Sequence, residues 1–121
     1  MVVEKSLTGI GSDGDLADQD VDRMFRALAD STRRDILRRG LTEETSVSAL
    51  AEEYDMSFAS VQKHVAVLEA AGLVIKRAEG RMRMVRTDPE RLQRAQRVLE
   101  GYVRLWRGRV DRLDVLLAEE S

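Results

Sequence analysis

Residues 46–74, SVSALAEEYDMSFASVQKHVAVLEAAGLV, hold two helical patterns with almost nothing between them. In the first, Ser48 is placed to cap a short helix that carries Leu50, Ala51 and Tyr54. Asp55, Met56 and Ser57 then read as a tight turn in which Ser57 caps the next helix. That helix repeats Val61, Val65 and Leu68 at spacings of three and four, with Ala71 following on the same stripe and Gly72 ending it. Two short helices joined by a turn of three or four residues make a helix-turn-helix unit, whose second helix fits a major groove.

Downstream of Gly72 the period changes from 3.6 to 2. Leu73 to Arg77 read as one extended segment, Glu79 and Gly80 as a turn, and Arg81 to Thr87 as the return strand. Alternation sends Arg81 and Arg83 to one face and Met82 and Met84 to the other, so the expected hairpin is a wing with a basic outer face. Pro89 then fits the first turn of a last helix running to about residue 119. Upstream, Val21, Met24, Phe25 and Leu28 form the apolar stripe of an amphipathic helix. Asp30 or Ser31 caps a second helix, for which Gly40 supplies the stop.

The last helix carries Leu92, Ala95, Leu99, Tyr102, Trp106, Val110, Leu113 and Leu117 at spacings of three or four, close to a heptad seam. So small a domain cannot cover all of it, and a symmetry-related copy is the natural partner. Leu92, Leu99, Tyr102, Trp106, Val110, Leu113 and Leu117 are the expected dimer contacts; an effector pocket is the lesser reading of Tyr102 and Trp106. Gly101 and Gly108 lie on one stripe beside the seam and suggest a close approach there, with the first helix as the expected neighbour.

A chain of 121 residues is long enough for one domain with its own core. It has no cysteine, which excludes disulfides, thiolate metal sites and cysteine nucleophiles. Neither a secretory leader nor a membrane span is legible, so a soluble cytoplasmic protein is expected. The net charge of −2 conceals an uneven distribution: residues 1–22 set six acids against Lys5 alone. Residues 1–18, rich in Gly, Ser and Asp, read as a disordered acidic tail, and residues 19–121 as the folded domain with a dimerisation helix at 89–119. Residues 57–86 carry Lys63, Lys76, Arg77, Arg81, Arg83 and Arg86 against only Glu69 and Glu79, the surplus a phosphate-binding surface needs.

Ser57, Phe58, Ser60, Gln62, Lys63 and His64 lie on the first turns of the second helix, off the Val61 and Val65 stripe. They are the candidate contacts to base edges and phosphates, set against a plain polar surface with Phe58 as a packing residue. Arg81 and Arg83 are the candidate wing contacts, set against a solvated edge guarded by charge. His64 is the lone histidine, and a phosphate contact or an interhelical hydrogen bond suits it better than a metal. No pairing at catalytic spacing suggests an enzyme, and neither a metal nor a cofactor is expected. Besides a DNA-binding protein, a helical protein-protein interaction module on the same scaffold stays open.

MFRALADSTRRDILRRG at 24–40, the helix-turn-helix at 46–74 and IKRAEGRMRMVRT at 75–87 together resemble the ArsR/SmtB family of bacterial winged-helix repressors. The resemblance implies a mainly α fold with a small β-hairpin wing, dimeric through its N- and C-terminal helices. It also implies a homodimeric repressor that binds a palindromic operator in double-stranded DNA. YVRLWRGRVDRLDVLL at 102–117 is similar to the branch that does not sense metals. Metal-sensing members carry a cysteine pair before the turn or Asp, His and Glu pairs on the last helix; here those stretches read SALAEEYD and a helix without histidine. Ser31 stands where relatives usually place proline.

Overall fold

The computed structural model describes residues 18–120, so the expected acidic tail lies outside it except for Asp18, which opens the first helix. The elements run α1 (Asp18–Leu28), α2 (Ser31–Thr42), β1 (Thr45–Ser46), α3 (Val47–Tyr54), α4 (Phe58–Ala70), β2 (Val74–Glu79), β3 (Met82–Thr87) and α5 (Pro89–Glu120). This is a mostly helical winged helix-turn-helix with a small antiparallel sheet. Met24, Ile36, Leu50, Val61, Val65, Leu68, Leu73 and Val98 are its most deeply buried large side chains.

The joint between α1 and α2 explains the arginines at 33 and 34. A helix leaves its last carbonyls without partners. Here Arg33 Nε donates to Ala27 O (2.8 Å), Arg33 Nη2 to Arg26 O (3.0 Å) and Arg34 Nη1 to Leu28 O (2.7 Å). Asp30 caps α2 in turn, its carboxylate accepting from Arg33 N at 3.0 Å. Two basic side chains therefore close one helix while their own helix begins.

Gly40 is not the stop that its residue type suggests. The helix continues to Thr42 and closes at Glu43, whose N–H donates to Arg39 O. Gly40 serves packing instead: a β-carbon there would sit 2.4 Å from Thr87 Oγ1 and 2.8 Å from Thr87 N. The bare backbone lets α2 lie directly on β3, where the buried Thr87 hydroxyl donates to Leu37 O at 2.8 Å.

The wing is a three-stranded sheet in the order β1-β3-β2 rather than a lone hairpin. Thr45 pairs with Val85 and Ser46 with Met84, so a strand of two residues stitches the start of the helix-turn-helix to the wing. Across the hairpin, Val74 faces Thr87, Lys76 faces Val85 and Ala78 faces Arg83. Arg81 belongs to the turn and not to the return strand. Arg83 shares a face with buried Val85 and Thr87 but lies beyond the core and is exposed, while Met82, Met84 and Arg86 occupy the opposite face. The sheet thus has arginine on both sides, instead of one basic face.

Asp88 caps α5, its Oδ1 accepting from Glu90 N (3.1 Å) and Arg91 N (3.4 Å). Near its start Ala95 and Val98 are buried and Leu92 is packed on the core. With 32 residues α5 spans about 48 Å, far more than the domain beneath it can cover. Gly101 is buried, but a β-carbon on Gly108 would meet only Arg112 Nη1, at 3.7 Å, so α1 does not approach the helix there.

Candidate nucleic-acid interface

Capping and core contacts hold the helix-turn-helix. Ser46, two residues ahead of the expected Ser48, caps α3 by accepting from Ala49 N at 3.1 Å. The shift follows from β1: pairing with β3 fixes Ser46 in extended backbone, the conformation an N-cap requires. Asp55 ends α3 in the left-handed region (φ 51, ψ 47), which aspartate tolerates better than most residues. Met56 N then donates to Ala51 O at 3.0 Å, and Ser57 caps α4 by accepting from Ser60 N at 3.1 Å. Gly72, at φ 75, closes α4 as Leu73 N returns to Leu68 O at 3.0 Å.

A second cluster locks α3 onto α2. The Tyr54 hydroxyl, Arg39 Nε (2.8 Å) and the Arg38 guanidinium all donate to the Asp35 carboxylate. Arg39 also reaches Glu53 and lies 5.3 Å over the Tyr54 ring. The Tyr54 hydrogen bond, reinforced by the two arginines, holds the Asp35 carboxyl well below the usual carboxylate range. Burial, with the bond to Asp35, pushes the Tyr54 phenol up to about 12. Two ionisable groups thereby brace the helix that positions α4.

The candidate contacts on α4 separate in the structure. Phe58, Ser60 and Lys63 are exposed, and so is the cap residue Ser57. Ser57 Oγ donates to Ser60 Oγ at 2.9 Å while serving as the cap. His64 turns toward α2, with Nδ1 3.3 Å from Arg33 Nη1 and 3.7 Å from Asp30 Oδ2. It makes the interhelical contact. Gln62 holds its side-chain oxygen out of solvent and without a partner. The exposed side of α4 also includes Ala59, Ala66 and Val67, which attract no notice in the sequence because none is polar.

Ion pairing sorts the basic surplus. Lys76 Nζ lies 3.6 Å from Glu69, and Arg77 is held by Glu44 through Nε (3.0 Å) and Nη2 (2.6 Å) and by Glu79 at 3.2 Å. The bidentate pair raises the Arg77 pKa and lowers that of Glu44. Lys63, Arg81 and Arg83 make no ion pair among the described residues, and Arg86 makes none though its charge acts on Glu44, so these cations on α4 and the wing remain to meet an anion.

On α5, Leu99, Tyr102, Trp106, Leu113 and Leu117 lie in solvent in the single chain, with Trp106 63% and Leu99 51% exposed. Val110 is half-buried. Singly such residues are ordinary, but a continuous stripe of them marks an interaction surface.

This geometry agrees with what the chain is similar to. A family model described as "Helix-turn-helix domain" matches residues 28–77, which enclose α2, α3 and α4. The HTH-type transcriptional regulator Rv2034 of Mycobacterium tuberculosis is 36% identical over 92 residues, covering 69% of this chain and 86% of that protein. Among solved structures, an ArsR family transcriptional regulator superposes with a TM-score of 0.71 at 32% identity, over 76% of this chain and 95% of its own. The chain belongs to the ArsR family of winged helix-turn-helix transcriptional regulators. A more distant solved relative from Mycobacterium bovis is 25% identical with a TM-score of 0.59, covering 73% of this chain and 86% of its own. It is described as a homodimeric winged helix-turn-helix DNA-binding domain and a possible ArsR-family regulator.

In this ArsR-family regulator no group of three or more His, Asp or Glu among the described residues could hold a metal ion. No described helix is long and apolar enough to cross a membrane. Several features that differ from the sequence reading are fixed by distant partners: β1, the Gly40 contact with Thr87 and the Arg77 clamp; the interhelical contact of His64 is one of its two expected roles.

Proposed function

We propose that this regulator is a sequence-specific repressor that acts in the cytoplasm as a homodimer on a two-fold symmetric operator. The observation that carries the reading is the placement of the unpaired cations. Lys63 stands on α4, Arg81 and Arg83 on the outer wing and Arg86 further along β3, while every other basic residue of that stretch is neutralised by an acid. A phosphate backbone supplies the anions these cations lack, and the helix-turn-helix beside them supplies the element that enters a groove.

In this reading α4 enters the major groove with Ser57, Phe58, Ser60 and Lys63 toward the DNA. Gln62 and His64 contribute there only if their side chains turn outward from the positions they hold. Arg81 and Arg83 follow the backbone or the adjacent minor groove. The exposed stripe from Leu99 to Leu117 packs against its copy about a two-fold axis, and repression follows from occupying the promoter.

Footprinting of the full-length protein on the DNA upstream of its own gene tests the proposal. A two-fold symmetric footprint is expected, with affinity that falls steeply as salt rises. Protection that is absent, or binding indifferent to salt, overturns it.

A further inference from the structure

The outward side of α4 is short of hydrogen-bonding groups. His64 is engaged with Arg33 and Asp30, the Gln62 oxygen faces inward, and the Ser57 hydroxyl serves the cap and Ser60. Adenine is usually read by a bidentate amide that uses both its oxygen and its nitrogen, and Gln62 as placed cannot supply that pair. What α4 does present is Ala59, Ala66 and Val67 around Lys63, with Phe58 49% exposed at its first turn. Solvent-exposed Phe and Val on a helix that is otherwise free to be polar ask for an apolar partner. In the major groove the base edges offer one apolar group, the 5-methyl of thymine.

We propose that α4 reads its half-site chiefly through thymine methyl groups, with Phe58, Ala59, Ala66 and Val67 as the specificity-determining residues and Lys63 as the main polar contact. This inference rests on the DNA-binding reading above and deepens it. The small side chains at 59 and 66 let the helix sit close to the groove floor. Phe58 and Val67 are nine positions apart, about 13 Å along the helix axis, so the methyls they meet belong to different base pairs. Nine residues also place them on opposite flanks of the helix, facing opposite walls of the groove.

Deoxyuridine tests this directly, because uracil keeps the pairing and the O4 acceptor of thymine and lacks only the methyl. Duplexes enriched from a randomised library by the full-length protein are resynthesised with uracil replacing one thymine at a time. At two or more positions in each half-site the replacement should weaken binding about fourfold, the value of one buried methyl. Val67→Ala and Phe58→Ala, each checked for retained helical circular dichroism, should each erase the penalty at one position. Lys63→Ala should weaken binding while leaving the pattern of uracil penalties intact. Enrichment of a defined sequence in which uracil is harmless everywhere overturns the methyl readout and leaves the DNA-binding reading standing. A protein that enriches no sequence and binds no duplex overturns both.

Discussion

Gly40 and Thr87 touch so closely that a β-carbon on residue 40 would stand 2.4 Å from Thr87 Oγ1 and 2.8 Å from its backbone nitrogen. In a free helix Gly→Ala gains about 1 kcal/mol, but forcing extra volume into a packed contact costs about 1–3 kcal/mol. The obstacle here includes the Thr87 backbone, held opposite Val74 across the hairpin, so overpacking wins. Gly40→Ala should destabilise the protein by about 1–2 kcal/mol in urea unfolding. A stabilised variant would mean that α2 and β3 do not meet as described.

The Asp35 and Tyr54 pair gives stability a predictable pH dependence. Asp35 has its pKa depressed in the fold, so its contribution is present at neutral pH and is lost as pH falls below the unfolded carboxyl value of about 4. Tyr54 has its pKa raised to about 12, so its contribution is complete below the unfolded phenol value and is lost only as pH rises toward 12. Tyr54→Phe should therefore cost about 1.5–3 kcal/mol from pH 6 to pH 9, the worth of a hydrogen bond to a charged group. Both proteins should lose stability as pH falls below about 4, but the gap between them should persist there, because the arginines keep Asp35 ionised in either fold. A variant as stable as the parent at pH 7 would sink the assignment.

How much of this was legible in the sequence follows from how local each determinant is. The cap at Ser57, the stop at Gly72 and the Val61, Val65 and Leu68 stripe depend on residues within one or two turns, and the structure has them where the spacing puts them. Choosing between Ser46 and Ser48 as the cap of α3 needed knowledge of β1, whose partner lies some forty residues later. Gly40 looked like a helix stop because glycine favours that role, yet its reason is a contact with Thr87. In the candidate interface the charge surplus was legible, but which cations stay unpaired was not, since Glu44 finds Arg77 across thirty-three residues. Phe58 was singled out at the start of α4, but Ala59, Ala66 and Val67 escaped notice because none of them is polar.

Dimerisation through α5 is expected from the exposed stripe that begins at Leu99. Burying an apolar side chain of that size is worth about 1.5–3 kcal/mol, and a charge in its place leaves an uncompensated ion at the interface. Leu99→Glu combined with Trp106→Glu should sediment as a monomer with its helical circular dichroism retained. A dimer that survives the double substitution would place the interface elsewhere.

Arg83 is exposed and makes no ion pair among the described residues, which suits contact with backbone phosphate rather than bases. Arg83→Ala should weaken binding to specific and non-specific duplexes alike. It should also lower the slope of log affinity against log salt by about 0.9 for each subunit. A loss confined to the specific sequence would make Arg83 a base reader instead.

Operator spacing tests the whole assembly, because it couples α4 to α5 through the two-fold axis. If two copies meet along the α5 stripe, their α4 helices are related by the same axis and must enter successive major grooves on one side of the duplex. Half-site centres then lie about 10 base pairs apart, or a multiple of that. Inserting five base pairs at the centre turns one half-site to the far side of the duplex, where a rigid dimer cannot reach it. Binding should fall to the non-specific level, roughly a thousandfold or more. Inserting ten restores the facing but lengthens the span, so it should recover little unless the α5 contact bends. Binding unchanged by the five-pair insertion would show that each subunit binds alone, and the two-fold arrangement would be wrong.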